Sequence, residues 1–126
     1  MQEFKNLGVG TDIEDIGRFR KLDRDKNSNF LDKIFTKKEL DYSFSKANPY
    51  QHLAARYAGK EAVVKALGSL GRRGIDYKDI EILNDDNGIP KANLNYNCGL
   101  KVHISLSHSN DRALAFAVIT QNQNEH

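Results

Sequence analysis

Arg56-Tyr57-Ala58-Gly59-Lys60-Glu61-Ala62-Val63-Val64-Lys65-Ala66-Leu67-Gly68 decides how the chain is read, because it has the pattern of the second half of one long helix. Upstream of it, Asn48 suits an N-cap and Pro49 the first helical position, where its missing N–H is no loss. Downstream, Gly68 suits a left-handed C-terminal stop. Leu53, Tyr57, Val64 and Leu67 recur at helical spacing, which predicts one inward stripe with the charges gathered beside it. Arg56 and Lys60 stand four residues apart, as do Glu61 and Lys65, so these charges project from successive turns. Ordinary exposed ion pairs on a helix are worth only about 0.3–0.5 kcal/mol each. A functional reading therefore needs a second cluster elsewhere in the chain.

Composition narrows where to look. The chain has 126 residues, 39% of them hydrophobic, which suits one domain spanning residues 1–126 with a real core. Its formal charge is +2 and its pI is near 8.6. That is weaker than a nucleic-acid binder's usual pI above about 9, and no nucleic-acid partner is expected. It does accommodate an acidic or phosphorylated partner. Cys98 is the single cysteine, which precludes an intrachain disulfide and fits a reducing compartment. The first residues lack the apolar run of a signal peptide, and no later stretch is suited to spanning a membrane. A soluble cytoplasmic protein is the expectation.

Near the start, Leu7-Gly8-Val9-Gly10-Thr11-Asp12-Ile13 reads as a strand with Asp12 at its carboxyl edge. Such an aspartate is often a plain turn former. It is also the right donor for Mg²⁺, which is usually held by one or two carboxylates plus waters and substrate phosphates. Asp12 and Glu61 would make that pair.

Three blocks carry a resemblance: Gly10-Thr11-Asp12-Ile13, Arg56 to Ala66, and Val102-His103-Ile104-Ser105-Leu106-Ser107-His108-Ser109. In order and spacing they resemble the holo-[acyl-carrier-protein] synthases, the small type of phosphopantetheinyl transferase, from about Gly8 to Ile119. The resemblance implies transfer of phosphopantetheine from coenzyme A to a serine of apo acyl carrier protein, within fatty-acid biosynthesis. It implies an α+β fold with an antiparallel sheet packed against a long helix, assembled as a homotrimer with clefts between subunits. It also implies that Asp12 and Glu61 hold Mg²⁺, with Mn²⁺ an alternative, against the pyrophosphate of coenzyme A.

A serine hydroxyl attacking the phosphorus of a charged pyrophosphate needs mostly positioning and charge neutralisation. Lys65, one turn beyond Glu61, is placed to stabilise or protonate the leaving group. Arg56 and Lys60 are suited to further phosphate contacts, Arg by its fork and Lys as a point charge. Two acceptors stand open for the serine proton, a metal-linked water or Glu61. The family usually carries its next carboxylate three residues after the aspartate, where Asp15 stands, but this chain also has Glu14. If extended structure persists that far, residues 12 and 14 share a strand face and Glu14 joins the metal site, directly or through water. Otherwise Glu14 and Asp15 complement the positive end of the next helix.

Ile16 to Arg24 reads as that helix, short and amphipathic with a cationic outer face. By resemblance it docks the acidic carrier protein through Arg18, with Arg20, Lys21 and Arg24 beside it; a merely solvated face is the plainer alternative. Asp25 to Asp32 is polar and reads as a loop. Thr36-Lys37-Lys38-Glu39 fits a capping box opening a helix through Leu40 and Tyr42. The glycine-rich segment 68–74 lacks the ending of a phosphate loop, so a flap or subunit contact is the expectation. Ile80 to Leu83 alternates as a strand, and Asp86-Asn87-Gly88 turns into Ile89-Pro90-Lys91. Resemblance places Gly88 and Pro90 beside the nucleotide. Val102 to Ser107 and Ala113 to Ile119 read as a hairpin whose tip carries His108 and Ser109, by resemblance phosphate or nucleotide contacts. Two further classes remain open: a non-catalytic module binding coenzyme A or a carrier protein, and a nucleic-acid binder using Arg18 to Arg24 and Arg72-Arg73.

Overall fold

The computed structural model describes residues 6–95 and 99–121. Cys98 and the polar tail 122–126 lie outside the described residues. The alternation at the start gives strand β1, Leu7–Asp15, and the carboxyl-terminal hairpin gives β4, Leu100–His108, and β5, Arg112–Gln121. They pair antiparallel in the order β1-β5-β4, with Asp12 opposite Ala115 and His108 opposite Ala113. β2, Ile80–Asn84, and β3, Pro90–Leu94, form a separate antiparallel pair, and β3 lies alongside β4. The fold is α+β, as the resemblance implied.

Among the described residues four helices precede β2: α1, Ile16–Phe19; α2, Ser28–Ile34; α3, Lys37–Phe44; and α4, Pro49–Ser69. α4 lies across the β1-β5-β4 sheet, with β2 against its flank. No helix among the described residues is long and apolar enough to cross a membrane. Pro49 opens α4, although Asn48 makes no side-chain capping bond. The helix runs past Gly68. Gly71, at φ 79°, makes the left-handed stop, and Arg72 N–H closes back on the Leu67 carbonyl at 2.9 Å.

The core also differs from the expected stripe. Leu53 and Leu67 are buried, but Tyr57 and Val64 are only partly covered, and Ala54, Ala58, Ala62, Val63 and Ala66 line the contact. Small residues on the helix meet small residues on the strand. A Cβ added to Gly10 would lie inside van der Waals contact of the Ala62 carbonyl oxygen, and one on Gly8 inside that of Ala66. The two glycines therefore let α4 settle directly on the β1 backbone.

Two further expectations give way. The docking helix stops at Phe19, because burying Ile16 and Phe19 uses its apolar residues and the chain then turns. α2 begins inside the segment 25–32 read as a loop and runs past it, since Leu31 and Ile34 find the cluster around Phe19, Phe35 and Leu53. Tertiary burial supplies there what a short polar helix lacks on its own. The capping box forms as read, with Thr36 accepting from Glu39 N–H and Glu39 accepting from Thr36 N–H.

Candidate functional site

Extended structure persists through Asp15, so Gly8, Gly10, Asp12 and Glu14 share the face of β1 beneath α4. The glycines admit the helix, and the two acids follow where it passes. Lys65 reaches down from α4 and donates to the Thr11 carbonyl at 2.9 Å and to Asp12 Oδ1 at 3.2 Å. Asp12 is only 12% exposed, and its second oxygen, Oδ2, is buried with no hydrogen-bond partner. Glu61, one turn before Lys65, is half-buried and accepts at 2.8 Å from the Tyr77 hydroxyl on the 3₁₀ turn Tyr77–Asp79.

Glu14 pairs with Arg18 at 3.2 Å. Burial pushes its carboxyl up to about 7, helped by the neighbouring Asp12 carboxylate, with Arg18 opposing. Glu14 and Asp12 thus bring two carboxyl groups together on one strand face beneath α4. Together with the orphaned Asp12 oxygen, this donor set fits a hard divalent cation. Among the described residues, no group of three or more His, Cys, Asp or Glu side chains is arranged to hold a metal alone. Such an ion would need further oxygen atoms from substrate phosphate or water.

Arg56 and Lys60 lie elsewhere. They point into the protein toward β2, 2% and 0% exposed, and their polar atoms are taken up by partners there rather than by the space around Asp12. Arg56 donates to the Ile82 carbonyl at 3.1 Å and to Asn84 Oδ1 at 3.3 Å, and lies 4.5 Å over the Tyr42 ring. Lys60 pairs with Glu39 at 2.9 Å and donates to the carbonyls of Tyr77 and Ile80. Burial lowers the affinity of both cations for their protons, and Glu39 opposes it for each. Glu39 uses its remaining oxygen to accept from Ile82 N–H at 2.8 Å. The capping box revealed one job of Glu39; its pairing with Lys60 left no sequence signal, because α3 and α4 meet only in three dimensions.

The other expected residues divide by location. Gly88 takes φ 79° in the turn between β2 and β3, organised by Asp85 accepting from Asn87 and Ile89 N–H, and Pro90 begins β3. His108 shares a sheet row with Glu14 across Ala113, two strand spacings or roughly 10 Å away. Ser109 accepts from the N–H groups of Asp111 and Arg112 and so shapes the hairpin tip. Of the docking set, only Arg18 lies on α1, where it also covers the Tyr57 ring at 5.5 Å. Arg20 donates to the Asn110 carbonyl at 3.0 Å, Lys21 is exposed, and Arg24 pairs with Asp41. They do not form one helical face.

A profile for the 4'-phosphopantetheinyl transferase superfamily matches residues 8–119, from the start of β1 into the end of β5. The chain belongs to that superfamily. Among its relatives in the family, a holo-[acyl-carrier-protein] synthase of Thermodesulfovibrio yellowstonii is 46% identical over 114 residues, covering 90% of this chain and 97% of the relative. A synthase of the same name from Chlamydia felis is 48% identical, covering 87% of this chain and 93% of the relative. The transferase fold also recurs in a crystal structure of a holo-(acyl-carrier-protein) synthase from Bacillus anthracis in complex with coenzyme A (3',5'-ADP). That structure has a TM-score of 0.76 and 31% identity, with 91% of this chain and 96% of the other covered.

Proposed function

We propose that the protein transfers the 4'-phosphopantetheine group from coenzyme A to a serine of apo acyl carrier protein, giving holo carrier protein and adenosine 3',5'-bisphosphate. Its relatives of the same family bear the name of that reaction over nearly their whole length. The observation in the molecule that carries the reading is Asp12 beneath Lys65, with one buried oxygen lacking a partner and Glu61 one turn away on the same helix. We infer further that the 126 residues act as one domain in the cytoplasm, supplying holo carrier protein for fatty-acid synthesis.

Asp12 and Glu61 would hold Mg²⁺ or Mn²⁺, which when bound neutralises charge on the pyrophosphate. Lys65 places its ammonium beside Asp12, suited to the negative charge that develops on the leaving phosphate oxygen. Gly88, Pro90, His108 and Ser109 would contact the nucleotide, and Arg18 the acidic carrier. The tip of β4 is separated from β1 by β5, and the β2–β3 turn by both β4 and β5. That separation favours a cleft completed by a second copy.

The opposite face of the β1-β5-β4 sheet supports a homotrimer. Val9, Ile13, Leu114 and Phe116 lie there between 44% and 60% exposed, with Val9 opposite Val118 and Ile13 opposite Leu114. An apolar sheet face of this kind is what a second copy would cover.

The transfer is tested by incubating the protein with coenzyme A, Mg²⁺ and an apo acyl carrier protein and weighing the carrier by intact-mass spectrometry. A gain of one phosphopantetheinyl group, absent with Glu61→Ala and with chelator, is expected. No gain, with coenzyme A and carrier still bound, would leave a non-catalytic binding module instead.

A further inference from the structure

Lys60 and Glu61 are consecutive on α4, yet both engage the same residue across the fold. Lys60, fixed at one end by Glu39, holds the backbone carbonyl of Tyr77 at 2.8 Å, while the Tyr77 hydroxyl donates to Glu61 Oε1 at 2.8 Å. The turn carrying Tyr77 is stiffened at its start, where Asp76 N–H donates to Asp79 Oδ2 at 3.2 Å and Asp79 N–H to the Asp76 carbonyl at 3.0 Å. The ring is set sideways by Tyr57, 5.7 Å away, which in turn rests on Phe19 at 5.7 Å. The hydroxyl is thus fixed by the backbone below, a buried ion pair behind and an aromatic row beside. Glu61 itself stands on the surface side of the helix with a flexible side chain, so its direction depends on this contact.

We propose that Tyr77 is a positioning residue for the metal: its hydroxyl holds one oxygen of Glu61 and leaves the other for the ion. The inference rests on the reading of Asp12 and Glu61 as metal ligands. A donor on the far oxygen of a ligating carboxylate fixes its orientation, and loss of such partners typically weakens metal binding about 10–100-fold. The buried Lys60 and Glu39 then serve the site indirectly, by keeping the Tyr77 turn at the right height on α4.

The test uses Mn²⁺ as probe, its free-ion electron paramagnetic resonance signal titrated against the full-length protein with coenzyme A present and no carrier. Tyr77→Phe keeps the ring and should raise the Mn²⁺ Kd about tenfold or more, while coenzyme A binding in chelator and the melting curve stay as in the unaltered protein. An unchanged Kd, or a parallel loss of coenzyme A binding without metal, would overturn the proposal. A second variant guards against a folding defect at position 77. Glu61→Asp draws the carboxylate back from the hydroxyl, so adding Tyr77→Phe to it should weaken Mn²⁺ no further, whereas additive losses would mean that the hydroxyl acts elsewhere. If the unaltered protein binds Mn²⁺ no better than Glu61→Gln does, the metal reading itself fails and this inference with it; that result appears before position 77 is touched.

Discussion

At the scale of the residue, Lys60 and Glu14 show how burial reassigns charge. The pattern Arg56, Lys60, Glu61, Lys65 is uniform in sequence, but Lys60 is fully enclosed and Lys65 is half open, so one cation holds the fold and the other faces the site. Removing one partner of a buried ion pair leaves the other uncompensated, at about 3–5 kcal/mol. Lys60→Met should therefore lower unfolding stability by that amount in a denaturant titration, with Glu39 left buried. A phosphate ligand would instead show an intact fold and weaker coenzyme A binding. Glu14 makes the opposite case, a residue whose place was legible. Alternation puts it on the face of Asp12 on condition that the strand persists beyond Ile13, and β1 does run through Asp15. If Asp12 and Glu61 hold the metal as proposed, Glu14→Gln, altering the carboxyl beside Asp12, should weaken Mn²⁺ binding about tenfold; equal affinity would confine Glu14 to its pair with Arg18.

At the scale of the element, α1 and α4 depart from their sequence patterns for one reason, that a helix's length and faces are set by what covers it. α1 is a single turn capped by Asp15, whose side chain accepts from Gly17 N–H at 3.1 Å. Arg18 alone among the four basic residues stands on it. Arg18→Ala is expected to raise the KM for the carrier and flatten its salt dependence more than it lowers kcat, measured in transfer assays at several ionic strengths. In the first half of α4, His52 is half-buried with its ring edge-on to Tyr42 at 5.6 Å. Burial lowers its pKa below the usual 6.5, and the charges of Arg56, Lys46 and His108 lower it further. A depressed histidine contributes stability above its unfolded pKa and loses it as pH falls. The melting temperature should thus drop as pH falls below about 6.5, with a shallower drop in His52→Gln.

At the scale of the whole molecule, the two faces of the β1-β5-β4 sheet have different fates. One receives α4 on glycine and alanine; the other carries Val9, Ile13, Leu114 and Phe116 uncovered. Phe116→Glu places a charge on that second face and should convert a trimer to monomer by light scattering. Activity should fall with it if the cleft needs two copies. How much of this was legible divides along the same line. Local pattern determined the long helix with Pro49 at its start, the Thr36 capping box, the β2–β3 turn and the hairpin of β4 and β5. It also put Asp12 at a strand and Glu61 and Lys65 one turn apart, because strand alternation, helical repeat and turn chemistry act over a few residues. Only the tertiary structure decided that Arg56 and Lys60 turn inward to β2, that α1 stops at Phe19 while α2 forms, and that Tyr77 meets Glu61. Those outcomes depend on burial and on partners dozens of positions away, such as Glu39 and Lys60 or Arg56 and Ile82. Which side of a helix is covered is a property of the assembled core, and no short window of sequence contains it.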